Sequence, residues 1–398
     1  MKNLLVALSL GIAMAAAPLF GQEPPPPPPA EDTQTPTEDE ATTPPTTEEV
    51  AGKVDSLTEA FTEMKNTVDA LNRLKISGYI MGQYVHDDSS VNSLTGAAAT
   101  RNKDQFSVRE ARVKFTYQFS PTSRFVLQPE IASGGVSLKD GYVELTEPWT
   151  AWHHTLTAGQ FNWPFGFEVG YSSSDRELPE RTRVMRTLFP SERDRGFQVS
   201  GLGLQDRFNY KVAIVNGTGT VQTFDFNKRK DLVGRVGGTL GPLDLGVSIY
   251  RGAELVSTVP NPAGREFDKQ RAGVDFQLVT PIPGLGVRGE YIRGKQPPAA
   301  GAAANAALAA DVEGYYVYAV ENIGTRHQVA VRYDSYDPDT GNDLPNVIGN
   351  APVRTLGASY LFHFDANSKV MVAYELPKSQ GFDDPDDNVF TMRYQYKF

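Results

Sequence analysis

The amino-acid sequence predicts an all-β fold: a 16-stranded antiparallel transmembrane β-barrel, preceded by a disordered spacer and a short coiled-coil helix. Three observations predict it. From Lys75 onward the chain breaks into 16 short stretches in which apolar and polar side chains alternate, the period of a strand with one face in lipid and one in water. The connections between these stretches alternate between long and short. The stretch "VFTMRYQYKF" carries Phe390, Met392, Tyr394, Tyr396 and Phe398 on one parity and Thr391, Arg393, Gln395 and Lys397 on the other, a strand with one apolar face.

The N-terminal elements come first. Lys2 precedes an apolar run that ends in small residues, which predicts a secretory signal over residues 1–22, cleaved between Ala17 and Gln22. The run is shorter than the roughly 20 residues that a spanning helix needs. Residues 23–52 combine a polyproline tract with Thr and Glu and have little to bury, which predicts an extended, solvated spacer. Over 53–74, Val54, Leu57, Phe61, Met64, Val68 and Leu71 are spaced 3, 4, 3, 4, 3, a heptad seam. Such a helix needs a partner: another copy in a coiled coil that joins subunits, or the rim of its own chain.

Charge divides along the same boundary. The net charge is -10, and residues 23–73 carry 12 acidic and 3 basic side chains against 36 and 34 in residues 74–398. No basic face suits a nucleic acid, so that partner is not expected. The mean hydropathy of -0.36 does not separate a soluble protein from a barrel, in which only alternate residues face lipid. The absence of cysteine excludes disulfides, thiolate metal sites and a lipid-modified N-terminal cysteine.

The predicted strands begin near residues 75, 106, 123, 138, 154, 196, 207, 231, 243, 269, 284, 313, 325, 353, 368 and 389. In "EARVKFTYQF", for example, Ala111, Val113, Phe115, Tyr117 and Phe119 oppose Glu110, Arg112, Lys114, Thr116 and Gln118. The longest connection, 163–195, is the candidate pore-constricting loop. Sorting of loop length by parity is expected of a membrane barrel with tight periplasmic turns and longer outer loops, and an even strand count leaves both ends on one side. A soluble sandwich has no reason to show it.

Residues 139–201 narrow the reading. "LKDGYVELTEPW", "HTLTAGQFNWPFGFEVGYSSSDRELPERT" and "ERDRGFQVSG" resemble the phosphate-selective porin O/P family, through Gly159, Gln160, Phe161, Pro164, Phe165, Gly166, Glu168, Arg193, Asp194, Gly196 and Phe197. Phe398, with Tyr394 and Tyr396, resembles the terminal aromatic signal that barrel-assembly machinery recognises. The resemblance implies a 16-stranded homotrimeric porin of the outer membrane of a Gram-negative-type envelope, whose third long loop folds into the pore and whose basic residues conduct anions toward the periplasm.

The candidate constriction residues are Arg176, Arg181, Arg183, Arg186 and Arg193, since a guanidinium's planar fork suits phosphate. By parity Arg112, Lys114, Arg124, Arg235, Arg271, Arg288, Arg332 and Arg393 face the lumen. Nearly as many carboxylates share that face, so the expected preference for anions is mild. No catalytic residue, metal site or cofactor is expected. The run 284–289 matches G-x-G-x-x-G but enters a strand, and the calcium-like loop at Asp337 has Ile348 where a Glu ligand belongs. The acidic runs at 337–343 and 383–387 are surface loops that could bridge divalent cations or lipopolysaccharide. The function expected is passive diffusion of small hydrophilic solutes or ions, in contact with outer-membrane lipid and lipopolysaccharide. The alternative is a structural anchor whose periplasmic spacer and helix reach peptidoglycan or another periplasmic partner.

Overall fold

The computed structural model describes residues 46–87, 103–132, 134–220, 224–256, 264–298, 309–341, 352–379 and 388–398. The predicted signal segment, the spacer up to residue 45, residues 342–351 and the acidic run 383–387 lie outside the described residues.

The helix α1 spans Thr47–Asn72 and so begins before residue 53, where the heptad seam alone placed it. A reciprocal cap explains the earlier start. The Glu49 amide donates to Thr46 Oγ1 (3.3 Å) and the Thr46 amide donates to Glu49 Oε2 (3.0 Å), satisfying two donors that a helix start leaves free. Val54, Leu57, Phe61, Met64, Val68 and Leu71 are all exposed on this helix.

The rest is one closed sheet. Its strands are β1 (Leu74–Asp87), β2 (Lys103–Ser120), β3 (Ser123–Ala132), β4 (Gly135–Thr146), β5 (Thr155–Asn162), β6 (Arg193–Gly203), β7 (Phe208–Val215) and β8 (Asp231–Leu240). They continue as β9 (Leu243–Val256), β10 (Arg265–Val279), β11 (Leu285–Gln296), β12 (Ala310–Ile323), β13 (His327–Asp337), β14 (Val353–His363), β15 (Ser368–Ser379) and β16 (Val389–Lys397). Each pairs antiparallel with its sequence neighbours, and β1 pairs with β16 to close the barrel, Tyr84 facing Met392. The predicted count, order and closure are borne out.

The loop asymmetry holds with one exception. Short turns at 121–122, 204–207, 241–242 and 324–326 alternate with long connections at 88–102, 163–192, 216–230 and 338–352, but the β3–β4 turn on the long side is only 133–134. Gly241 and Gly324 take positive φ (61° and 65°) in short turns, where a Cβ would be strained.

Alternation decides the two faces. Val331, Tyr333, Met392 and Tyr394 are exposed on the outer face, whereas Arg332 and Asp334 point inward and are each 1% exposed. Closing the sheet pairs every strand edge, which is what a bilayer demands of a backbone. No described helix is long and apolar enough to cross a membrane, a fact silent about strands. A hydrophobic cluster sits inside the barrel, where Tyr250, Ile292, Val312, Tyr316 and Tyr336 of the inner wall meet Trp163, Phe165, Val184, Met185, Leu188 and Phe189 of the β5–β6 connection.

Candidate functional site

The β5–β6 connection, residues 163–192, folds inward and includes α2 (Arg183–Leu188). Small residues on the wall receive it. Val184 Cγ2 lies 2.6 Å from where a Cβ on Gly314 would stand, Leu178 Cδ2 lies 2.7 Å from the same point on Gly357, and the Phe165 ring lies 3.0 Å from it on Gly273. These glycines lie on the inward faces of β12, β14 and β10, so three side chains of the loop seat in three notches of the wall.

Polar contacts secure the same loop. The Glu290 carboxylate on β11 accepts from the amides of Phe167 (2.8 Å) and Glu168 and from the Tyr316 hydroxyl (2.6 Å). Loop carbonyls accept from the facing strands: Glu180 O from Arg332 (2.8 Å), Glu177 O from Ser359 (2.6 Å), Ser174 O from Lys369 (2.8 Å) and Pro179 O from Arg393 (2.8 Å). Arg109 donates from Nε and Nη2 to both oxygens of Glu180, 2.8 Å each. Burial pushes the Glu180 carboxyl up, but these hydrogen bonds and the charges of Arg109 and Arg393 outweigh it and hold the group far below the usual carboxylate range.

Arg109 and Glu290 were not singled out by sequence reasoning. Arg109 escaped because a β-bulge interrupts the register: Met81 faces Glu110 and Gly82 faces Val108, so Arg109 is the extra residue and alternation fails there. Glu290 was one inward carboxylate among many, and only the folded loop shows which one caps its backbone.

The five candidate constriction arginines part company. Arg176 is buried 3.8 Å from Glu110. Arg181 donates to Tyr171 O (2.8 Å) and lies 3.6 Å from Glu192; burial, then the charge of Arg176, pushes its guanidinium down. Arg193 donates to Asp140 (2.7 Å) and Glu192 (3.0 Å). These three brace the loop. Arg183 is also buried and Arg186 half-buried, and neither has a carboxylate within ion-pair distance among the described residues. Burial, then the charge of Arg186, pushes Arg183 down to about 10.

The eight candidate lumen residues all lie on the inner face, and all but Lys114 contact partners on the wall or the loop, Arg124 and Arg235 through wall carboxylates. Arg112 bonds Glu130 (2.9 Å), Arg288 pairs with Glu177, and Arg332 pairs with Asp334 (2.9 Å) and Glu375. Arg393 bonds Gln83 and Glu180, and Arg271 stacks on Phe189 with its guanidinium carbon 4.6 Å from the ring centre. Parity reports the side of the sheet and not whether a loop covers it.

Lys114, Arg124 and Arg235 do border open space. A polar cavity of about 450 Å³ lies between the start of the loop, including Phe167 and Tyr171, and the wall formed by β2, β4–β8 and β10; its charged residues are Lys114, Lys211, Arg235, Asp140 and Glu144. A second polar cavity, about 350 Å³, shares Glu144 and extends to the short-turn end past Arg124, Gln118 and Thr155. Both carboxylates of the first cavity are taken, Asp140 by Arg193 and Glu144 by Arg124, while Arg235 bonds Asp275 (2.7 Å). Lys114 and Lys211 have no carboxylate within ion-pair distance among the described residues. The passage thus keeps two uncompensated cations. None of the five constriction arginines lines this first cavity.

The model of the family described as "Phosphate-selective porin O and P" matches residues 79–241, which include every residue of the 139–201 resemblance, so the resemblance is borne out. Several solved structures share the fold. The anion-selective porin from Comamonas acidovorans aligns with a TM-score of 0.59 at 12% identity, over 82% of this chain and 99% of its own. OmpT of Vibrio cholerae in its trimer form gives 0.55 at 12% over 82% and 99%, and OmpF of Salmonella typhi in complex with daunomycin gives 0.58 at 12% over 82% and 97%. No curated sequence matches the chain.

Proposed function

We propose that the protein is an outer-membrane channel for passive diffusion of small hydrophilic solutes and ions, with a mild preference for anions. One observation carries the preference: the cavity beside the loop retains Lys114 and Lys211 unpaired while its carboxylates are neutralised by arginines. A dissolved anion moving along this wall meets positive potential at two points and no uncompensated negative group in the cavity lining. The effect is modest, because charges in a wet passage interact by about 1 kcal/mol at contact range. The mechanism is physical and uses no catalytic group: the closed barrel supplies the hole, and the docked loop narrows it.

In this reading the short turns face the periplasm, and α1 lies there with its apolar seam against two other copies in a homotrimer. The family match and the trimeric form of OmpT support that assembly. Phosphate selectivity in the strict sense is a further step, for which Arg183 and Arg186 are the remaining candidates in the loop. Planar-bilayer recordings test the proposal. Discrete conductance steps and a reversal potential shifted toward the chloride equilibrium are expected; absence of steps would favour an anchor, for which the exposed seam of α1 is the supporting observation.

A further inference from the structure

The outer face of β9–β12 changes character along the strands. Register places Val247, Val274, Tyr291 and Tyr315 in one row across the four strands, all exposed. One step toward the long-connection end the row is Ile249, Ala272, Arg293 and Glu313; the next is Arg251, Gln270, Lys295 and Asp311. A groove of about 310 Å³ runs among these last two rows. The Tyr291 hydroxyl donates to Glu313, and none of the three cations has a carboxylate within ion-pair distance among the described residues.

Charges on a lipid-facing wall cost about 2–4 kcal/mol at the bilayer midplane and about 0–1 near its edges. Three cations, Arg251 on β9 and Arg293 and Lys295 on β11, beside the row of tyrosines and valines, therefore mark the depth at which headgroups meet acyl chains. A free anion would have no use for the apolar row, and the core of a subunit interface is depleted of charge. We propose that this groove binds the phosphorylated headgroup of a glycolipid in the outer leaflet. Arg251, Arg293 and Lys295 donate to phosphate oxygens, and the tyrosine row lies along the acyl chains. The inference needs the barrel to sit in a membrane with its long connections outward; it does not need conduction.

The test uses the full-length protein in detergent, titrated in native mass spectrometry with a bis-phosphorylated, hexa-acylated glucosamine disaccharide and with its dephosphorylated form. The variant Arg251→Gln/Arg293→Gln/Lys295→Gln is expected to bind the phosphorylated lipid at least about tenfold more weakly, with little change for the dephosphorylated one. Should the triple variant fail to fold, Arg293→Gln and Lys295→Gln singly are each expected to weaken binding several-fold. Equal binding by the variants would overturn the proposal. So would displacement of the lipid by millimolar inorganic phosphate, which indicates a free-anion site, or dissociation of the variant into smaller assemblies, which indicates a subunit interface. A wild-type protein that binds the lipid but gives no conductance steps would sink the channel reading and leave this one standing.

Discussion

Val184 occupies the space that any side chain on Gly314 would need, its Cγ2 2.6 Å from the missing Cβ. The contact joins the inner loop to the middle of β12. A leucine there has nowhere to go unless α2 lifts, since the backbone of Ser335 is 3.1 Å from the same point. Gly314→Leu is expected to undock the loop at a cost of about 1–3 kcal/mol, typical of overpacking. The sheet itself should stay closed. Larger single-channel conductance with unchanged heat-resistant barrel mobility on a gel is the expected outcome.

Neutralising the open cations should move selectivity without moving size. Lys114→Gln with Lys211→Gln is expected to shift the reversal potential toward the cation equilibrium, each lysine contributing less than tenfold in permeability ratio, given about 1 kcal/mol per solvated charge. Conductance at high salt should change little, because screening shortens the reach of both charges to about 3 Å at 1 M.

Arg332→Met should act in the opposite sense. It leaves Asp334 and Glu375 buried without their partner, a loss of about 3–5 kcal/mol for a broken buried pair. The thermal unfolding midpoint is expected to fall, while the ion permeability ratio set at Lys114 and Lys211 stays put.

Acid should leave the loop docked across the usual carboxylate range. Because the folded Glu180 titrates below the unfolded value of about 4.3, its stabilisation is complete above that pH and is lost only as pH falls through the depressed folded value. Open-channel noise, a report of loop motion, is expected to stay level from pH 7 to about pH 4. Glu180→Gln should raise it at every pH.

The seam of α1 has its own assay. Leu57→Glu with Phe61→Glu in the full-length protein should lower the temperature at which the proposed trimer dissociates, measured by native gel. A dissociation temperature equal to that of the wild type would leave the seam without a partner in the assembly.

Most of the barrel was legible because a strand between lipid and water must alternate, and the alternation survives wherever register is regular. Met392 and Arg393, or Val331 and Arg332, sort correctly from parity alone. Where register slips, at Arg109, the signal vanishes. The start of α1 was missed because its cap lies in Thr46 and Glu49, outside the apolar seam. The site was less legible for a different reason. Whether Arg332 or Lys114 meets water depends on where residues 163–192 lie, and that follows from notches at Gly273, Gly314 and Gly357, each an ordinary strand glycine until a side chain is found seated in it.

The loop leans on one arc of the barrel and leaves the other free, which gives the two arcs different tolerance to change. Substitutions at the loop's anchors on β9–β16 and at Arg109 of β2 strike hinge pins and threaten the fold, whereas those at Lys114, Gln198 and Lys211 alter only what passes. A lineage, or an engineer, could therefore retune this pore for a new nutrient by repainting one half of its interior while the other half goes on holding the door.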